Sequence, residues 1–164
     1  MKKSTNHIYL IILLSILSSV APMGVDTYLP SIPEISKYFD VSIQKIELSL
    51  PIFLIGFAVG QIFGGPISDR YGRKFGSILG LIGYAIFSFI IIFSSNVYEL
   101  WAYRFIEAFF GGITVVNAAA AVRDRFKGQE AAKVFSLIGI VRSLAPLLAP
   151  VFGAAIIHFF PWKG

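Results

Sequence analysis

Five uninterrupted apolar runs, at residues 8–29, 48–67, 75–94, 100–122 and 132–159, leave this chain few folds to choose from. As a helix rising ~1.5 Å per residue, each run is long enough to cross a hydrocarbon layer of ~30 Å. With 56% hydrophobic and only 14% charged residues, the chain has too few polar side chains to coat a water-soluble domain of 164 residues. The expected fold is an all-α polytopic membrane protein. Its connections are short and polar and carry the turn formers Pro30, Pro33, Gly72 and Gly128, so residues 1–164 read as one transmembrane bundle without an extramembrane domain.

The net charge of +5 does not point to nucleic acid, because the basic residues fall between apolar runs rather than along one face. The expected partner is the lipid bilayer. No cysteine is present, so disulfides, CxxC metal sites and thiol nucleophiles drop out, and no metal site or cofactor is expected. His7 and His158 lie at opposite ends of the chain, and the glycine clusters follow no strand, so neither a catalytic constellation nor a phosphate loop emerges. An enzyme is not expected.

Lys2 and Lys3 before an apolar run, and small residues in "SSVAP", have the outline of a secretory signal. The run continues through Val25 to Leu29 and four more follow, so it reads as a retained first span. With the N-terminus cytoplasmic, the inner segments hold nine cations: Lys2, Lys3, Arg70, Arg73, Lys74, Arg123, Arg125, Lys127 and Lys133. The outer segments hold three, Lys37, Lys45 and Lys163. That asymmetry sets the expected orientation, with residues 69–74 as a cytoplasmic hairpin.

Charges left within the spans are costly in lipid and mark functional candidates. Four remain: Asp26 near the outer end of span one, Arg104 and Glu107 three residues apart on one face of span four, and Arg142 in the middle of span five. Two readings stand for the first three. Arg104 and Glu107 form a structural ion pair while Asp26 reaches the interface, or Asp26 exchanges a proton under the influence of Arg104. Arg142 is too deep to reach water and needs a partner or a cavity, and Asn117 either joins that cavity wall or bonds between helices. Pro146 and Pro150 each remove a backbone donor, which predicts a bent or loosened fifth helix. Gly56, Gly60 and Gly64 form a small-residue stripe for close helix packing, which also permits sliding.

"GGPISDRYGRK" between the second and third spans resembles the loop signature of the major facilitator superfamily, matched at Gly65, Asp69, Arg70, Gly72, Arg73 and Lys74. In that signature Gly72 permits the turn, Gly65 a close helix approach, and Asp69 a cap or an ion pair. "VDTYLPSIPEIS", "RFIEAFFGG", "AVRDRF" and "LAPLLAPVFGAA" narrow the resemblance to the bicyclomycin-resistance (Bcr/CflA) subfamily of drug:proton antiporters. The resemblance implies five helices of a six-helix N-terminal half, in the bacterial inner membrane. It implies a small hydrophobic or cationic drug as substrate, and the proton gradient rather than a cofactor as energy source. It assigns proton coupling to Arg104, and the proton is then expected on one of the two acids that the spans hold, Asp26 or Glu107. It assigns Pro146, Pro150 and Gly153 to the span-five kink, and an inner charge network to Arg123 and Asp124, with Asp124 meeting Arg73. Glu107 stands where the pattern usually has Gln, and Ala145 and Ala149 replace glycines of the general span-five signature. Substrate binds between two halves in this family, yet the chain stops at "HFFPWKG", where a turn into a sixth span is expected. The missing C-terminal half is therefore an expected partner. A truncated or split-gene polypeptide without transport activity is the alternative, and a homo-oligomeric exporter a third.

Overall fold

The computed structural model describes residues 2–159, with side chains described for residues 8–155. Lys2, Lys3, Lys163, both histidines and the "HFFPWKG" end lie wholly or in their side chains outside that description. Among the described residues every regular element is helical: α1 (Lys2–Tyr28), α2 (Ile32–Phe39), α3 (Ile43–Glu47), α4 (Ser49–Tyr71), α5 (Arg73–Ile90), α6 (Val97–Arg125) and α7 (Gly128–Phe159). Among the described residues five helical stretches are long and apolar enough to cross a membrane: Ile8–Phe39, Ile43–Tyr71, Arg73–Phe93, Val97–Arg125 and Gly128–Ala155.

The first connection differs from the polar turn expected of Pro30 and Pro33. A 3₁₀ turn at Leu29–Ser31 leads straight into α2, and both prolines fall in first-turn positions. There a missing N–H costs nothing, so proline starts a helix instead of ending one. The stretch ends at Asp40, in the left-handed conformation with φ 50°, where the Ser36 hydroxyl donates to the Val41 carbonyl at 2.6 Å. The α4–α5 turn is a single residue. Gly72 has φ 92° and ψ 151°, a conformation that a side chain would strain, so glycine alone makes this reversal cheaply. At the head of α6, Asn96 Oδ1 accepts from the Tyr98 and Glu99 N–H groups, while the Glu99 carboxylate accepts from the Ser95 N–H. This cap satisfies donors that the first helical turn leaves open.

Lipid tails are as apolar as leucine, so burying leucine between helices in a membrane gains little; close packing holds a bundle together instead. Helix α6 shows how. Its most apolar stretch is 61% buried, against 22% for α5 and α7, because glycines on both sides let neighbours reach its backbone. From α4, Gly56 and Gly60 lie against the Phe105 and Phe109 carbonyls, and a methyl group at Gly60 would overlap Phe109. From α5, Gly76, Gly80 and Gly83 meet Asn117, Thr114 and Phe110. The second stripe has the same kind of spacing as the first. Helix α7 lies along α1, with Ala145, Ala149 and Gly153 buried and Gly153 against the Thr27 backbone. Its helical assignment runs unbroken through Pro146 and Pro150.

Polar side chains inside the spans mostly bond to their own helix, as lipid requires. Ser15 and Ser19 donate to carbonyls four residues back at 2.8 and 2.9 Å, and Thr114 does the same at 3.1 Å. Asn117 belongs to this group. Its amide donates to the Ile113 carbonyl at 2.8 Å while the side chain packs on Gly76, so it stands in the α5–α6 contact and not beside Arg142.

Candidate functional site

Among the described residues two polar centres lie on either side of one phenylalanine. The first is a cleft of about 250 Å³ between α1, α4 and α7, walled by Pro22, Val25, Leu54 and Phe57. Asp26, half-buried on α1, and Arg142, exposed on α7, both line it. They are 116 positions apart in sequence, and only the packing of α7 along α1 brings them to one opening. Among the described residues no ion pair or hydrogen bond links Asp26 to Arg104, so the expected influence of Arg104 on Asp26 is not a contact. Arg142 is the charge that faces the cleft with Asp26.

The second centre is the Arg104–Glu107 pair on α6, each side chain only about 3% exposed. Three residues put them on one helix face, and Arg104 Nη1 donates to Glu107 Oε2 at 2.9 Å. The guanidinium lies over the rings of Tyr28 at 4.2 Å and Phe53 at 4.5 Å, a geometry in which the ring quadrupoles attract the cation. Among the described residues its Nε and Nη2 have no hydrogen-bond partner. The other carboxylate oxygen, Oε1, accepts from the Ser88 hydroxyl of α5 at 2.5 Å, and one turn earlier on α5 the Tyr84 hydroxyl is directed at the Val20 carbonyl of α1, 3.4 Å away. Ser49 of α4 donates to the Tyr28 hydroxyl at 3.1 Å and so fixes the ring beneath Arg104. Phe53 is common to both centres: it lines the cleft and stacks under Arg104.

The Gly72 end of the bundle holds the remaining candidates. Arg73 bridges two helices, contacting Asp69 at 2.6 Å and Asp124 at 2.7 Å, and also reaches the Ser68 hydroxyl. Arg70 lies over the Tyr71 ring at 5.4 Å, while Lys74 and Arg123 are exposed. Gly65 does not mediate the close approach expected of it. Space is open around its Cβ position, and the neighbouring Gly64 is the one pressed against Ile113 and Val116.

Ser88, Tyr84 and Tyr28 escaped the sequence reading, because one hydroxyl or ring in a span looks like any other until the helices pack. The i,i+3 spacing made Arg104 and Glu107 legible because both lie on one helix.

The model of the Major Facilitator Superfamily matches residues 14–164. The chain is similar to the bicyclomycin resistance protein homolog of Haemophilus influenzae, 41% identical over 162 residues, which cover 99% of this chain and 41% of that protein. It is also similar to the uncharacterized MFS-type transporter YdgK of Bacillus subtilis, 38% identical over 145 residues, 88% of this chain and 36% of the relative. The multidrug resistance protein MdtL of Citrobacter koseri is 32% identical over 142 residues, 87% of this chain and 36% of the relative. The chain thus spans about two-fifths of the length of the curated relatives it matches.

Proposed function

The chain belongs to the Major Facilitator Superfamily, and on that premise we propose that it forms the first five spans of a drug:proton antiporter in the bacterial inner membrane. The family is one of transporters rather than enzymes. The substrate class is a small hydrophobic or cationic drug, in keeping with the resistance proteins among the relatives. The nine-to-three excess of cations at the Gly72 end favours an orientation with that end and the N-terminus in the cytoplasm.

The observation that carries this reading is Arg142, an exposed cation in the middle of a span, sharing a cleft with the carboxylate of Asp26. Facing lipid, that arginine would cost several kcal/mol, about 2.5 to 3.5 by insertion scales, so the face belongs against water or more protein. A C-terminal half across the cleft supplies both in this family, whose substrates bind between the halves. The apolar walls of Phe53, Phe57 and Leu54 suit a hydrophobic drug, and Asp26 suits a cation or a proton. Arg104 and Glu107, behind Phe53, are the second proton-linked pair. No cofactor enters; the proton gradient drives export.

Proton-driven efflux from vesicles tests this. In a full-length transporter carrying these spans, Asp26→Asn abolishes drug export against a gradient and Arg142→Gln weakens drug binding. Unchanged efflux in Asp26→Asn removes Asp26 from the mechanism. An antibody to the α2–α3 region tests the partner: a membrane band near 18.0 kDa means the five-span chain exists alone, and a band more than twice that mass means a single-chain transporter.

A further inference from the structure

A groove of about 470 Å³ opens between α1 and α5 at the Gly72 end of the bundle, with α6 as its floor. Farther along, the two helices meet, where the Tyr84 hydroxyl fills the space beside Gly24. The walls of the groove are two stripes of one spacing. Leu10, Leu13, Leu14 and Leu17 line it from α1, each set on one helix face at i, i+3, i+4 and i+7. Lys74, Ser77, Ile78 and Leu81 line it from α5 in the same register. At ~1.5 Å per residue each stripe runs about 10 Å, most of the ~15 Å that one leaflet contributes to a ~30 Å hydrocarbon core.

Polarity is graded along the groove. Its charges, Arg73, Lys74, Asp124 and Arg125, all sit at one end, and beyond Ser77 the lining is apolar. Arg73 and Asp124 already hold each other at 2.7 Å. Lys74 and Arg125 are exposed, and among the described residues no ion pair engages either of them. Apolar walls do not retain water, and in a bilayer the material at hand to fill such a groove is an acyl tail. Cations at its rim suit a phosphate at headgroup level.

We propose that this groove holds one anionic phospholipid of the leaflet at the Gly72 end. An acyl tail lies between the leucine stripe of α1 and Ile78 and Leu81 of α5, and Lys74 and Arg125 hold the phosphate. The Ser77 hydroxyl, one turn beyond Lys74 on the same face, is the remaining donor there. A choline headgroup brings its own cation to this rim, so selection falls on lipids with net negative charge. The lipid fills the gap where α1 and α5 stand apart and so ties the first span to the third.

Native mass spectrometry tests this on the chain released from nanodiscs of equimolar phosphatidylglycerol and phosphatidylcholine with identical tails. One phosphatidylglycerol should stay bound, preferred about thirtyfold, or about fivefold for each cation. Lys74→Gln/Arg125→Gln removes the preference. Lys127→Gln/Lys133→Gln takes the same charge from the same end of the bundle, outside the groove, and keeps it. Leu81→Trp leaves every charge in place but fills the groove, so lipid retention falls at least tenfold. Equal retention of both lipids, or equal losses in the two charge-removing variants, would mean attraction to the surface alone and would overturn the proposal. Displacement by excess glycerophosphate, which has the headgroup chemistry without a tail, would also overturn it. So would a dimer mass without lipid, which would put a second copy of the chain on the groove.

Discussion

Removing Glu107 alone should destabilise the bundle more than removing Glu107 and Arg104 together. In Glu107→Leu the guanidinium stays about 97% buried and loses its one carboxylate, while its Nε and Nη2 already lack partners. Breaking a buried pair from one side costs about 3 to 5 kcal/mol. The two aromatic rings at 4.2 and 4.5 Å keep stabilising the cation, by about 2 kcal/mol when desolvated, which places the expected loss at the low end, about 3 kcal/mol. In Arg104→Met/Glu107→Leu no charge is left. The methionine still packs on Tyr28 and Phe53, and sulfur–aromatic contacts contribute about 0.3 to 1.5 kcal/mol. The double variant is therefore expected within about 1 kcal/mol of the unaltered chain. Unfolding by denaturant in mixed micelles measures the difference. Trp101 reports it by fluorescence, because its indole N–H donates to the Lys45 carbonyl at 3.0 Å and so spans α6 and α3. If Glu107→Leu unfolds at the same denaturant concentration as the double variant, the uncompensated-charge argument is wrong.

Other outcomes follow from single contacts. Gly60→Leu forces a side chain into the Phe109 backbone and is expected to cost about 3 kcal/mol or to prevent folding, whereas Gly65→Leu, with open space around it, stays within about 0.5 kcal/mol; the same unfolding assay compares them. Asn96→Ala removes the acceptor for two N–H groups at the head of α6 and should lower stability by about 1 kcal/mol. Asp124→Asn breaks a half-exposed bridge to Arg73, so the expected loss is at most about 1 kcal/mol and shrinks further in high salt, which repeating the measurement at two ionic strengths checks.

The spans were legible because lipid imposes length and composition, and those survive in any window of the sequence. Charges within spans were legible for the same reason: Asp26, Arg104, Glu107 and Arg142 stand out against an apolar background. What sequence could not deliver was direction. Pro30 and Pro33 read as turn formers because the sequence does not say whether a proline falls at the head of a helix or inside it. Gly76, Gly80 and Gly83 carry the same packing signal as Gly56, Gly60 and Gly64 and could have been found by the same spacing. Asn117 had two readings, with a bond between helices favoured over the cavity wall, and only the position of Gly76 on a neighbouring helix shows where the side chain packs. The sharing of one cleft by Asp26 and Arg142 is a property of α1–α7 packing, which no local pattern encodes.

Phe53 decides whether the two polar centres behave as one. Its ring is 1% exposed, lies under Arg104 and lines the cleft that holds Asp26, so it separates an accessible carboxylate from a buried one. Truncation to alanine removes that separation. In a packed core Phe→Ala costs about 3 to 5 kcal/mol, but here the vacated volume opens on the cleft and can fill with water, so part of the cavity penalty is relieved and the main effect falls on access. The infrared bands of the Arg104 guanidinium, assigned by their loss in Arg104→Met/Glu107→Leu, read this directly, because its N–H protons exchange for deuterium only when water reaches the pair. In the unaltered chain exchange should be slow. Phe53→Leu, which keeps most of the volume, should leave it slow, and Phe53→Ala should speed it at least tenfold. Fast exchange in all three would mean that water reaches Glu107 by another route, and the phenylalanine would then be only a ring beneath Arg104.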